Sequence, residues 1–401
     1  MISRVCMAAA ALATAALVAV PAGAAEEDWQ QVLDRARGQT VYFNAWGGSQ
    51  QINDYIAWVA DRVERLYGVE LRHTKVSDTA DVVSRILAEK TAGRAQGGSV
   101  DLVWINGENF AAMRRNALLG APFAEDLPNF AFVDTAGKPT TLVDFTVPTS
   151  GLESPWGMAQ LVFIHDTARL AKPPRDLAAL LDHLAANPGR FTYPLPPDFL
   201  GTTFLKQALV GLVAEPDRLQ HPSDEDFAEV TAPLWAYLDR LHPLLWRGGE
   251  AFAPSGASLI QLLDDGEVDI AFTFNPGAAS AAIENGELPD TARTFVLKGG
   301  TLGNTHFVAI PFNSGARDAA MVVANFLLSP EAQLRKEDPR IWGDPTVLAM
   351  DRLPADDRIA FAALPRGIAT LPPEALGTPI LEPHASWTDA LEAEWQRRYG
   401  R

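Results

Sequence analysis

Between two apolar runs the chain reads Asn44-Ala45-Trp46-Gly47-Gly48-Ser49, an aromatic ring beside two glycines and a hydroxyl. An indole face attracts a cation by about 0.5 to 2 kcal/mol or stacks on a flat heterocycle. Gly47, Gly48 and Ser49 at the start of a helix would leave backbone N–H groups free for an anion or a polar ligand atom. Polar turns recur at Asn106-Gly107-Glu108-Asn109-Phe110, Leu200-Gly201-Thr202-Thr203 and Phe274-Asn275-Pro276-Gly277. Asn44, Ser49, Asn106, Thr202, Thr203 and Asn275 are therefore candidate hydrogen-bonding groups, and Trp46, Trp156 and Phe274 candidate aromatic contacts. Asp198 and Glu153 are carboxylates available to neutralise a cation. Each residue also has a plain structural use, as a turn former, a helix cap, a packing ring or a surface charge.

Catalytic patterns are missing. There is no G-x-S-x-G elbow, no H-E-x-x-H, no Walker loop and no G-x-G-x-x-G at the first turn. The seven histidines are scattered, with none paired at metal-ligand spacing. Binding is favoured over turnover, no cofactor is called for and no metal site is expected. An exported α/β hydrolase acting on a small polar substrate is the alternative.

The elements that must position these turns alternate between β-like and helical patterns. Val41–Ala45 predicts a strand, and Ile52, Ile56, Val59, Val63 and Leu66 then fall at helical spacing. Val69–Thr74 and Asp101–Ile105 predict two more strands, with an intervening helix capped by Asp78. Alternation of this kind implies a parallel sheet covered by helices, whose ligands sit beyond the carboxyl ends of the strands. Leu119–Ser154, rich in proline, is expected to wrap the surface and then cross over. A second α/β unit follows, with strands at Leu161–Ile164, Phe191–Tyr193, Val268–Phe274, Thr294–Leu297 and His306–Pro311.

The N-terminus carries one positive charge at Arg4, an apolar run from Ala8 to Val20, and the small residues Ala22-Gly23-Ala24. That pattern predicts a secretory signal peptide over 1–24, cleaved near Ala24, and export to the periplasm. The apolar run is shorter than the roughly 20 residues that span a bilayer. The single cysteine, Cys6, falls inside the signal, so the mature chain is expected to hold together by its core without disulfides. The full chain's formal net charge of −17 in 401 residues repels polyphosphate and excludes nucleic acid as a partner.

The segments GEVDIAFTFNPG and FVLKGGTLGNTHFVAIPFNSGARDAAMVVANFLLSPEAQLRK resemble the closing half of solute-binding proteins of ABC importers. The opening YFNAWGGSQQINDYIAWVADRVERLYGVEL looks like the YnjB-type branch, placed near thiamine, polyamine and iron binders. The likeness runs over nearly all the mature chain. It implies a type II periplasmic-binding-protein fold, two α/β lobes joined by two crossing segments with a ligand cleft between them. Lobe one would take residues 25–149 and 304–401, and lobe two 150–303, with the return near Asn304 and His306, two further candidate ligand-binding residues. The partners implied are a small-molecule solute, thiamine or a related organic cation, and the membrane permease of an ABC importer, with the protein a monomer. In polyamine-type relatives a carboxylate stands in the return strand where this chain has His306, and iron binders use adjacent tyrosines that are dispersed here. Both departures weigh against those two ligand classes.

Overall fold

The computed structural model describes residues 22–223 and 226–400. The expected leader therefore lies outside the described residues, apart from its last three positions. Eleven strands are described: β1 Thr40–Trp46, β2 Glu70–Val76, β3 Leu102–Ile105, β4 Val143–Asp144, β5 Val147–Pro148, β6 Glu153–Gln160, β7 Val162–Asp166, β8 Ile270–Thr273, β9 Ala292–Phe295, β10 Leu302–Ala309 and β11 Ile380–Leu381. The helices are α1 Ala22–Ala36, α2 Gln50–Tyr67, α3 Thr79–Thr91, α4 Gly107–Arg115, α5 Leu177–Ala186, α6 Phe199–Leu212, α7 Phe227–Leu241, α8 Gly256–Asp264, α9 Ala278–Glu284, α10 Arg317–Leu327, α11 Pro330–Glu337, α12 Ala355–Ala362, α13 Pro373–Leu376 and α14 Ser386–Tyr399.

Two sheets divide the chain. In the first, β2, β1 and β3 run parallel, β10 lies antiparallel to β3, and β6 pairs with β10 from Glu153–Ala309 to Gln160–Gly303. In the second, β7 lies antiparallel between β8 and β9. Only Leu161 separates β6 from β7, and its N–H donates to the Leu302 carbonyl at the start of β10. The outgoing and returning strands thus run side by side.

Local chemistry sets the element ends. In α2 the stripe of Ile52, Tyr55, Ile56, Val59 and Val63 is buried, and Gly68, at φ 68°, stops the helix and bonds back to Glu64. Leu66, expected on that stripe, is exposed. Asp78, Asp176, Ser255 and Ser329 each accept from a backbone N–H of the helix they precede. Segment 119–154 is more than a surface wrap. Phe123, Leu127 and Val133 enter the first core, and β4 and β5 form a hairpin.

Two expectations need correction, and one strand goes beyond them. β6 was hidden by its Pro155 and Gly157, yet nearly every residue in it is buried. The expected strand Phe191–Tyr193 makes only an isolated bridge, Phe191 to Ile270. The expected assignment of 304–401 to the first lobe fails at its end: α14 buries Trp387, Leu391 and Trp395 in the core of the second half. Trp395 donates from Nε1 to the Tyr193 hydroxyl, and Trp387 from Nε1 to the His221 carbonyl. A helix with three large apolar side chains on one face goes where apolar area is left to cover, whichever half the chain last visited.

Candidate functional site

Where β1 ends, Trp46 stands with 41% of its surface exposed. Its ring lies across Gly48, where a Cβ would come within 2.3 Å of the indole, so only glycine leaves the ring in place. Ser49 and Asn106 precede α2 and α4, but neither side chain makes a capping bond. Their polar groups are not consumed by the helix ends. Gly107, at φ 60°, turns the chain into α4 and donates its N–H to Asp144 at 2.7 Å. These loops sit at the carboxyl ends of β1 and β3, the edge that faces the second half.

Across from them, Asp198 caps α6 by accepting from the N–H groups of Leu200 and Gly201. The exposed rim there carries Leu195 and Phe199, and Phe199 meets Phe274 edge-on at 5.2 Å. Two turns further along α6, Lys206 is 2% exposed and pairs with Glu382 at 2.7 Å. Its ammonium also lies 4.5 Å from the ring centre of Phe145, in the β4–β5 hairpin of the first half. Asn304 donates to Glu382, and Thr202 donates to Glu392 at 2.7 Å.

This cluster is rich in carboxylates. Burial pushes the Glu108 carboxyl up to about 7; Lys206 opposes the rise, and Glu392 and Glu382 add to it. Burial likewise raises Asp144 well above the usual range, with Glu108 and Glu382 contributing and the Gly107 N–H opposing. Glu392 is raised by burial as well. Glu153, at the start of β6, is buried with both carboxylate oxygens unpartnered, and its carboxyl is raised by burial and by Asp144. It belongs to the buried strand β6, not to the surface of the molecule.

A second polar group stands two residues further along the return strand. His306 Nε2 lies 3.0 Å from Asp344 Oδ1, and the Lys336 ammonium bonds to the other oxygen of that carboxylate. Burial would raise the Asp344 carboxyl, but Lys336 and His306 outweigh it and hold it below the usual range. Gly157 faces this trio, and a Cβ there would come within 2.1 Å of Asp344. Strand β6 therefore carries glycine where side chains from α11 and the following loop pass close by.

The structure leaves some of the candidate residues on loops at strand ends and takes others into the cores. Trp46, Gly47, Gly48, Ser49 and Asn106 remain on the first-half loops. Trp156 is fully buried and does not face the cleft. It packs among Trp104, Trp342, Phe43 and Tyr55, with ring centres 5.0 to 6.4 Å away. Thr203 is buried, with its hydroxyl donating to the Phe199 carbonyl one turn back. Phe274 lies in the second core. Asn44 is buried between strands and accepts from Arg85. Asn275 caps its own turn through Gly277 and donates to the Trp342 carbonyl, joining the two halves. Asn304 holds Glu382, and His306 is mostly covered by Asp344, Trp104 and Trp342. A groove of about 650 Å³ lined by Trp58, Arg335, Ile341 and Leu364 contains none of these candidates.

Sequence reasoning missed Glu108, Asp144, Lys206, Glu382 and Glu392. Glu108 sat inside a turn already singled out, and Lys206 one turn beyond Thr202 was legible in principle. Glu382 and Glu392 lie far along the chain, and no local pattern marks them.

Residues 58–337 match the family model described as bacterial extracellular solute-binding protein. The chain belongs to that family. Solute-binding proteins of ABC importers capture small solutes and pass them to a membrane permease; they are not enzymes, which removes the hydrolase alternative. The chain is 49% identical to Protein YnjB of Escherichia coli (strain K12) over 374 residues, 93% of this chain and 94% of that one. Among solved structures it is similar to the periplasmic binding protein AfuA from Actinobacillus pleuropneumoniae, bound to fructose 6-phosphate, with a TM-score of 0.62 and 17% identity over 90% of this chain and 98% of AfuA. It is also similar to PotD, the spermidine/putrescine ABC transporter substrate-binding protein of Streptococcus pneumoniae, with a TM-score of 0.56 and 15% identity over 90% of this chain and 100% of PotD. At these identities the two structures speak for the fold alone, the two-lobed type II arrangement. Membership of an extracellular family places the solute-binding protein in the periplasm, and among the described residues no helix is long and apolar enough to cross a membrane.

Proposed function

We propose that this solute-binding protein captures a small organic cation, thiamine or a related molecule, between its two halves and delivers it as a monomer to an ABC import permease. The protein's leader directs export and is removed near Ala24 in the process. What supports the choice of solute is the exposed Trp46 ring at the end of β1, lying over Gly48 beside an uncommitted Ser49. An exposed indole face at a concave edge suits a flat or cationic group. A solute touching both halves binds their closed arrangement more tightly than the open one, and that difference drives closure.

The test is a thermal-shift screen of the purified protein with thiamine, spermidine, putrescine and fructose 6-phosphate. A concentration-dependent rise in melting temperature with an organic cation, and recovery of that cation chemically unchanged, supports the reading. A rise with fructose 6-phosphate alone refutes the cationic solute and leaves the family function standing.

A further inference from the structure

We propose that the ammonium of Lys206 occupies the subsite that receives an amine group of the solute, so that the protein carries an internal stand-in for part of its cargo. This deepens the cationic reading above and rests on it. Lys206 is held by a carboxylate at 2.7 Å, that of Glu382, and by an aromatic face at 4.5 Å, that of Phe145. A carboxylate and a ring face are the two groups that recognise an organic ammonium. Four carboxylates, Glu108, Asp144, Glu382 and Glu392, act electrostatically on this region, which holds one ammonium of its own. Among the described residues no group of ligating side chains is placed to hold a metal ion, so an organic cation is the fitting charge.

The hydrogen-bond inventory points the same way. Asp144 and Asn304 are 1% and 4% exposed, and Oδ1 of each is buried without a partner. Asn304 is tied into the cluster through Glu382, and Asp144 through the Gly107 N–H beside Glu108. The Asn304 oxygen is an acceptor, the raised Asp144 carboxyl can offer a proton or a lone pair, and a buried polar atom left unmet is costly. A solute N–H supplies what they lack.

The walls come from different parts of the chain. Phe145, Asp144 and Glu108 belong to the first half, Lys206 to α6 of the second, and Asn304 to the return strand. When the halves separate, the ring and two carboxylates leave Lys206 behind. They become available to an incoming amine, and the solute and Lys206 then compete for the same surface.

The experiment measures affinity by calorimetry at pH 7.5 for whichever of thiamine and putrescine binds the unaltered protein. Lys206→Met removes the competitor and is expected to tighten binding at least tenfold. Glu108→Gln removes a carboxylate and is expected to weaken it at least tenfold. Circular dichroism checks each variant; if Lys206→Met does not fold, Glu108→Gln decides alone. Weaker binding by folded Lys206→Met would show that Lys206 holds the solute directly and overturns the proposal. Affinities within twofold for both variants also overturn it, while capture itself stands. Absence of binding by either probe to the unaltered protein overturns the cationic reading and this subsite together.

Discussion

Trp46→Ala should weaken solute binding about thirtyfold and leave the fold intact. The ring is 41% exposed in this structure, and that exposed part is the area a solute can cover. A tryptophan presents about 200 Å² in all, so about 80 Å² is open to contact. At about 25 cal/mol per Å², covering it contributes about 2 kcal/mol, a factor of about thirty in Kd. A solute with a positive charge over the ring face adds to this, so thirtyfold is the lower end for a cation. The fold should not suffer, because the strand end that holds the ring is fixed by backbone pairing of Trp46 with Val76. The assay is a calorimetric titration of both proteins with the solute found by screening, alongside urea unfolding of each. A Kd within twofold of the unaltered protein, at unchanged stability, would refute the placement of Trp46 in the site.

Other outcomes follow from the buried charges and rings. The Glu108 carboxyl sits at about 7 in the folded state against 4.5 as the reference, so the folded state holds the extra proton between those values. Its contribution to stability is full below about pH 4.5 and is lost as the pH rises through about 7, on the order of 3 kcal/mol; Glu108→Gln should match the unaltered protein at pH 5 and exceed it in urea resistance at pH 8. Glu382→Ala leaves the buried Lys206 ammonium without its carboxylate and should cost about 3 to 5 kcal/mol, read as a lower denaturation midpoint. Trp156→Ala should cost about 3 to 5 kcal/mol by opening a cavity among four aromatic rings, again read from the denaturation midpoint. Gly48→Ala should displace the Trp46 ring, changing its fluorescence and weakening solute binding with little loss of stability.

The alternation of apolar strands with amphipathic helices was enough to determine the first three parallel strands, their helices, and the polar turns at the carboxyl ends, because each rests on the period of neighbouring residues. The capping roles of Asp78, Ser255 and Ser329 were legible for the same reason. Strand β6 was not, since proline and glycine argue locally against a strand; Gly157 is there because Asp344, far along the chain, needs the space. Trp156 looked like a cleft residue from its position after the first crossing, and only the packing of α2 and α11 around it shows it as core. The expected first-lobe placement of the C-terminal helix failed because a sequence shows that a helix has an apolar face but not which apolar surface remains uncovered. The carboxylate cluster around Lys206 joins five separate segments of the chain. Electrostatic proximity of that kind is decided by three-dimensional closeness, and spacing along the polypeptide carries no record of it.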